Sequence, residues 1–582
     1  MGDHHGFERP ILEEERPLVE TMRTESATIS NNFNAVNKSN TSDVRHLEEL
    51  SQCFGNLFVS SEHSDVTLVF DDGQEFKSHR LILAARSSFF RAMLFNGFQE
   101  SHQQRVSLRD TNSMAFRAVL QYLYTSKIDF AGVDLDILLE YLSLAHRYDL
   151  YQLMEAISEH FMEILRNDNF CNIFNAAYFF QLSDLIEYCM QYSDKHADQL
   201  LDDPSFNKLT GDSLKELLAR DSFCANELKI FNAVREWMKN NPTMPDALKT
   251  LLGLVRLPLI SQNELLNVVR PTQLIEPDDL LDAIEIQTQK PQEIPYRGCK
   301  NLDVNIIPPY PSVHPLSVDQ SRRFSSEEGV SVFLIDLIKP FIINTIVMEM
   351  NWSLDAQAFS YQVHVSMENK TDGHWMLVAD YSEYDCRGAQ KVFFEDTVVR
   401  YILIKCKDRV GVRLEASRIE AMYSTETMEV DPTTKILIPN RHNVATVQNY
   451  ARVVEGVSRC RNALINGDIT SYDWDSGYTC HLIGSGHIII QLAQPYIISS
   501  MRILLWNMDD RFYSYYVAVS TNQTTWTTIV DQTNEECRAW QELLFDPLPV
   551  VYIKLVGTRN SVNEVFHVVH LEAPSTVPIA IK

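Results

Sequence analysis

A chain of 582 residues has room for about three to six domains at roughly 100–200 residues each. With 45% hydrophobic and 10% aromatic residues it can fill packed cores over most of its length. A net charge of −27 repels polyanions, which argues against nucleic acid and anionic membrane surfaces as partners.

The ten cysteines are scattered, with no CxxC pair and no histidine at zinc-ligand spacing. No apolar leader is visible at the N-terminus, and no run of about 18 apolar residues suits a membrane span. The expectation is a cytoplasmic protein with free thiols, no cofactor and no membrane insertion.

Residues 1–45 are polar and aperiodic, which predicts a disordered tail. Between 46 and 58, Leu47, Leu50, Phe54, Leu57 and Phe58 recur at helical spacing. Val66, Leu68 and Phe70 then alternate with polar residues, the period of a half-buried strand. Asp72-Gly73 suits the turn of a hairpin. From Arg80 the pattern turns helical, with Ile82, Phe89 and Met93 on one face and Phe90 and Leu94 widening it.

His79-Arg80, Leu83-Ala84-Ala85, Ser87 and Phe90 resemble the H-R-x-x-L-A-A-x-S-x-x-F signature of BTB/POZ domains, a protein-interaction fold. In such domains a helix at the place of 46–58 packs across a dimer interface. The resemblance therefore makes Leu47, Leu50, Phe54, Leu57 and Phe58 candidates for a homodimer contact. An ordinary intramolecular helix is the alternative. Phe98-Gln99-Glu100 matches the φ-x-E motif by which BTB adaptors contact a cullin-3 type scaffold, so Phe98 and Glu100 are candidate contacts. The alternative is a phenylalanine folded into the domain. Tyr124 is a further candidate, with partial burial as its alternative. Asp65 and His79 read as hydrogen-bonding residues at turn and helix ends rather than as catalytic groups.

A strand at 106–108 and a helix capped by Asp110, Thr111 or Asn112 follow. That helix buries Phe116, Val119, Leu120 and Leu123; the next presents Leu138, Tyr141, Leu142, Ala145 and Tyr148. Ser126 stands where BTB domains usually carry Gly, which puts the turn geometry in question. From 167 to 287 the period is helical, and Val255, Arg256, Pro258, Leu259, Ile260 and Leu265 resemble the V-R-x-P-L-[IM] region of a BACK domain. Pro258 and Pro271 should each interrupt a helix. The polar, proline-bearing segment 289–295 reads as a linker.

Beyond it the chain repeats itself at an offset of 151 to 155 residues. KPFIINTIVMEM pairs with QPYIISSMRILLW, FSYQVHVS with YSYYVAVS, and YDCRGAQ with EECRAWQ. Each copy alternates strands at short intervals, predicting an antiparallel β-sandwich. The copies resemble the discoidin, or factor 5/8 type C, fold, whose relatives bind sugars, lipids or proteins through loops at one end. The second copy carries Asn466-Gly467-Asp468 and Trp474-Asp475, similar to a loop that often holds calcium in such domains. Asp468 is the candidate ligand; an Asx/Gly turn with Trp474 as a packing residue is the favoured reading. In the first copy, residues 312–329 replace that loop. Trp506 and Asp509-Asp510-Arg511 suit a sandwich-end loop, with a surface ion pair favoured for the charges.

The expected fold is a multidomain α+β chain. It comprises an α/β BTB/POZ fold at 46–160, an all-α BACK domain at 165–290, and discoidin-like antiparallel β-sandwiches of jelly-roll type at 296–425 and 430–575. No nucleophile elbow, Walker loop, HExxH or dinucleotide motif is present, so no catalytic residue is assigned and no enzyme is expected. The resemblance implies an adaptor that dimerises and recruits protein substrates to a cullin-3 ubiquitin ligase through its sandwiches. The alternatives are a BTB scaffold independent of cullin and a ligand-binding protein acting through the second sandwich.

Overall fold

The computed structural model describes residues 46–242, 245–307, 330–351, 358–369, 373–408, 414–426 and 428–577. The tail expected at 1–45 and the segment 312–329 lie outside them. The chain divides into two compact units between His160 and Phe161.

In the first unit, α1 (Leu47–Ser60) precedes a hairpin of β1 (Val66–Phe70) and β2 (Glu75–Ser78). β1 buries its alternate residues Val66, Leu68 and Phe70. Gly73 takes φ +82° in the turn, a conformation that favours glycine. Where a single helix was expected after Arg80 there are two, α2 (Arg80–Arg86) and α3 (Ser88–Phe95). Ser87 between them is extended, at φ −139° and ψ 124°. Its hydroxyl accepts the Phe90 N–H at 3.1 Å and donates to the Tyr148 carbonyl at 2.7 Å. The break shifts the helical phase. The buried face is Leu83, Ala84, Phe90 and Leu94, while Phe89 is exposed and Ile82 and Met93 are half-buried.

β3 (Arg105–Leu108) joins β1 in parallel, giving the order β2-β1-β3. Asn112 caps α4 (Ser113–Thr125) by accepting the N–H groups of Met114 and Ala115. α4 buries Phe116, Val119, Leu120 and Leu123, and α5 (Leu135–Arg147) buries Leu138, Tyr141, Leu142 and Ala145. Tyr148 stacks on Phe90 at 4.8 Å, tying the end of α5 to α3.

α6 (Tyr151–Ile164) carries the chain into the second unit, where α7 (Asn167–Phe179), α8 (Ser183–Asp202), α9 (Gly211–Ala219), α10 (Glu227–Asn240), α11 (Pro245–Leu252) and α12 (Pro277–Gln289) follow. Ile173, Phe174, Leu214, Leu217, Ile230, Val234 and Trp237 are buried among them. Pro258 and Pro271 each fall in a three-residue 3-10 turn, Leu257–Leu259 and Arg270–Thr272. A ring without an N–H cannot continue an α-helical ladder.

The segment read as a linker is anchored. Arg297, two residues beyond it, is buried against Glu227, with Nε–Oε2 at 2.9 Å and Nη2–Oε1 at 3.3 Å. Its guanidinium also donates to the carbonyls of Leu218, Arg220 and Leu254. Glu227 accepts the Arg256 N–H at 2.8 Å. Each charge thus has several partners, the condition under which a buried ion pair persists.

The repeat folds as a repeat. In the first copy β4 (Val330–Asn351), β5 (Phe359–Ser366), β6 (Met376–Cys386), β7 (Ala389–Asp408) and β8 (Glu415–Met422) take the order β6-β5-β7-β4-β8. The second copy adds the short strands β9 (Glu429–Val430), β10 (Leu437–Ile438), β11 (Arg452–Glu455) and β12 (Thr479–Leu482). Its main strands are β13 (Ile488–Leu505), β14 (Tyr513–Ser520), β15 (Thr527–Cys537), β16 (Trp540–Asn560) and β17 (Val565–Glu572). Here β14 lies between β15 and β16, β13 pairs with both β16 and β17, and β12 lies outside β17. Register breaks fall at matching places, Asp336/Phe341 in β4 and Gln491/Tyr496 in β13. At each break the strand keeps its partner, β7 for β4 and β16 for β13, with the irregularity of a β-bulge between the two runs. Phe333, Ile343, Val363 and Ile404 fill one core; Ile488, Met501, Val517 and Ile553 fill the other.

Candidate protein-interaction sites

After α3, Gly97 at φ +80° turns the chain into a 3-10 turn, Gln99–His102. Phe98 sits just ahead of that turn with 57% of its surface exposed, and Glu100 is half-buried within it. The loop is fixed from below. The Arg80 guanidinium donates to the carbonyls of Leu94 at 3.3 Å, Glu100 at 3.4 Å and Ser101 at 3.1 Å. Ser101 closes the turn, its hydroxyl donating to the Phe98 carbonyl at 2.6 Å. Phe98 is therefore presented on a rigid loop rather than folded into the domain. Phe95, which sequence reading passed over, is also exposed. Its position on α3 opposite the buried Phe90 and Leu94 was the available signal, hidden by the mistaken helical phase.

Tyr124 is placed differently from Phe98 and Glu100. It is 5% exposed, its hydroxyl accepts the His79 N–H at 3.0 Å and lies 2.7 Å from His79 Nδ1. Burial raises its phenol to about 12. Its burial matches the alternative weighed against a contact, and its hydroxyl joins the end of α4 to the start of α2. Asp65 completes this joint, accepting the Arg80 N–H at 2.8 Å, and His79 Nε2 meets the Glu62 carbonyl at 2.7 Å. Both residues play the structural parts their positions suggest.

α1 packs on α4 without burying any residue fully. Ser51 donates to the Thr125 carbonyl at 2.7 Å, and the Phe58 ring lies 5.6 Å from that of Tyr124. Phe54, Leu57 and Phe58 are half-buried, while Leu47 and Leu50 are 71% and 53% exposed. Leu47, Leu50, Phe54, Leu81, Ile82 and Leu123 line an apolar groove of about 610 Å³.

In the second sandwich, Asp468 Oδ1 accepts the N–H groups of Thr470 and Ser471, each at 2.9 Å. These bonds hold its carboxyl down at about 2. The arrangement is an Asx turn. Among the described residues no group of three or more His, Cys, Asp or Glu is placed to hold a metal ion. Close by, Trp506 donates Nε1–H to the Asp473 carbonyl at 2.9 Å and meets Trp474 at 4.6 Å. Arg511 lies 4.3 Å over the Trp506 ring and binds both oxygens of Asp509 at 2.7 Å. Arg511 is buried, so this pair is not the surface ion pair the sequence suggested; Arg538 bonds Asp510 nearby, at 3.1 Å. Trp474 is exposed, not a packing residue of the interior.

Among the described residues no helix is long and apolar enough to cross a membrane. Family models match a BTB/POZ domain over residues 54–165, BACK (BTB And C-terminal Kelch) over 170–270 and an F5/8 type C domain over 455–570. BTB/POZ domain-containing protein 9 of Homo sapiens is 39% identical over 553 residues, covering 91% of this chain and 89% of that protein. The protein of the same name from Drosophila melanogaster is 38% identical, covering 91% and 74%. Kelch-like protein 24a of Danio rerio is 31% identical over 45% of this chain and 43% of its own length. The solved structure "CBM32 of AlyQ in complex with 4,5-unsaturated mannuronic acid" aligns with 21% of this chain and 92% of its own, at 13% identity and a TM-score of 0.19, too low to argue from. The order of BTB, BACK and F5/8 type C domains, together with that identity over nine-tenths of its length, places the chain in the BTB/POZ domain-containing protein 9 family, to which it belongs.

Proposed function

We propose that the chain is a non-enzymatic cytoplasmic adaptor. It dimerises through its BTB domain, engages a cullin-3 type scaffold through the Phe98 loop, and presents protein substrates bound by its β-sandwiches. The observation that carries this reading is Phe98, an exposed aromatic on a loop clamped by Arg80 and followed by a carboxylate at Glu100. An apolar anchor beside a charge is a common core for an interface. The BTB–BACK pairing shared with Kelch-like proteins supports the adaptor role. The groove along α1 supports a second copy as its occupant, because it is apolar and flanked by the exposed Leu47 and Leu50.

Calorimetric titration of the full chain with the N-terminal domain of cullin-3 tests this. Loss of a hot-spot aromatic costs about 2 kcal/mol or more, so Phe98→Ala should weaken binding roughly thirty-fold. Unchanged affinity in a folded variant rules Phe98 out as the anchor. A second reading, ligand binding by the second sandwich, is favoured by the exposed Trp474 beside Trp506 and Arg511.

A further inference from the structure

Two cysteines meet where the helical domain joins the first sandwich. Cys224 lies in the loop ahead of α10, and Cys299 follows the buried Arg297. Cys299 is held on both sides. Its N–H donates to the Pro340 carbonyl and its own carbonyl accepts the Ile342 N–H, each at 2.9 Å, at the register break of β4. Gly298 donates to the Asp221 carbonyl at 3.0 Å, three residues before Cys224. A Cβ at Gly298 would come within 2.9 Å of the Phe341 backbone, so the approach needs glycine there. Cys224 Sγ–H lies 3.8 Å from the carbonyl of Arg297, two residues before Cys299. The two cysteines are thus neighbours, each shifting the titration of the other, on a backbone fixed from both domains.

The pair is asymmetric. The interaction with Cys224 and the nearby Lys339 ammonium hold Cys299 below the ordinary thiol range, against the opposing effects of burial and Asp194. The same interaction, with burial and Asp198, raises Cys224 and keeps it protonated. One thiolate nucleophile beside one resolving thiol is the arrangement of a peroxide-sensing cysteine pair.

We propose that Cys224 and Cys299 form a reversible redox site, oxidised by hydrogen peroxide to a disulfide that locks the helical domain to the first sandwich. The Cys299 thiolate attacks the peroxide O–O bond, giving a sulfenic acid and hydroxide. The Cys224 sulfur then attacks the Cys299 sulfur. The S–S bond forms, the S–O bond breaks, and the Cys224 proton leaves with the hydroxyl as water. Two thiols lose two electrons in total, and one peroxide becomes two waters.

The test treats the reduced full chain with a small molar excess of hydrogen peroxide and maps thiols by mass spectrometry under non-reducing conditions. The wild type should yield a Cys224–Cys299 linked peptide that dithiothreitol removes. Cys224→Ser should give no link and a sulfenic acid at Cys299 that dimedone traps. Cys299→Ser should leave Cys224 as a free thiol. If both cysteines stay reduced while the exposed Cys53 and Cys460 oxidise, or if Cys224 reacts first, the proposal falls.

Discussion

His567 is kept neutral by its surroundings. It lies 3.3 Å from the Tyr513 hydroxyl and against the Tyr478 ring, with Arg511 nearby. Burial, and then the Arg511 charge, lower its pKa from 6.5 to about 4. His364 in the first sandwich is lowered to about 4 by burial and by Lys405. A group whose folded pKa lies below its unfolded value adds stability that is complete above the unfolded pKa and disappears as pH falls through the folded one. Both histidines should therefore weaken the sandwiches as pH drops from 6.5 to 4. Carboxylates such as Glu572 lose their own contribution at the lower end of that window. The difference between wild type and His567→Gln isolates the imidazole. Thermal melts of the full chain between pH 7 and pH 4 should show a shallower loss in the variant; parallel curves would mean that His567 does not titrate on unfolding.

At the scale of an element, the end of α4 shows how a departure from a family pattern is absorbed. Ser126 takes φ +55°, ψ 21°, and its N–H reaches back to the Tyr122 carbonyl. The left-handed turn that glycine usually makes is present, with a side chain that disfavours it. The left-handed region costs a non-glycine residue about 1–2 kcal/mol, offset partly by the smaller entropy a serine loses on folding. Ser126→Gly should therefore leave urea stability unchanged or raise it by up to about 1 kcal/mol. A clear loss would show that the hydroxyl makes an interaction of its own. Periodicity made most elements legible in the same way. β1 and its hairpin, the Asn112 cap, the buried faces of α4 and α5, and the paired strands of the repeat all express local alternation or local capping. What periodicity could not reveal was the break at Ser87. It depends on the Tyr148 carbonyl, 61 residues away, so one helical pattern concealed two helices of different phase. Tyr124 stayed open between contact and partial burial for the same reason, since its burial comes from α1 and from His79. The Phe98 loop was legible because its exposure follows from its own short turn.

At the scale of the molecule, the two copies of the repeat are joined through reciprocal bonds. The Gln494 side chain accepts the Lys391 N–H at 2.9 Å and donates to its carbonyl at 3.0 Å, while Tyr552 donates to Asp385 at 2.9 Å. The hairpins that precede this joint repeat one another. Gly388 and Ala539 both take positive φ, and Gln390 and Gln541 each cap the arginine carbonyl three residues back, at 2.7 Å. A similar economy governs the joint with the helical domain, where composition suggested a linker and a boundary near residue 296. Arg297 lies on the far side of that boundary, yet it neutralises Glu227 in the helical core. A fragment ending at residue 295 leaves the Glu227 carboxylate buried without its cation, a loss of about 3–5 kcal/mol when a buried pair is broken from one side. A fragment ending at 300 keeps the ion pair, the three carbonyl contacts of Arg297 and the Gly298 bond to Asp221. Urea titration of residues 46–295 and 46–300 should thus place the longer fragment's helical transition at clearly higher denaturant. Glu227→Gln should narrow the gap, because an amide left alone costs less to bury than a charge. Coincident midpoints for the two fragments would show that Arg297 adds nothing to the helical domain and that the boundary belongs where composition put it.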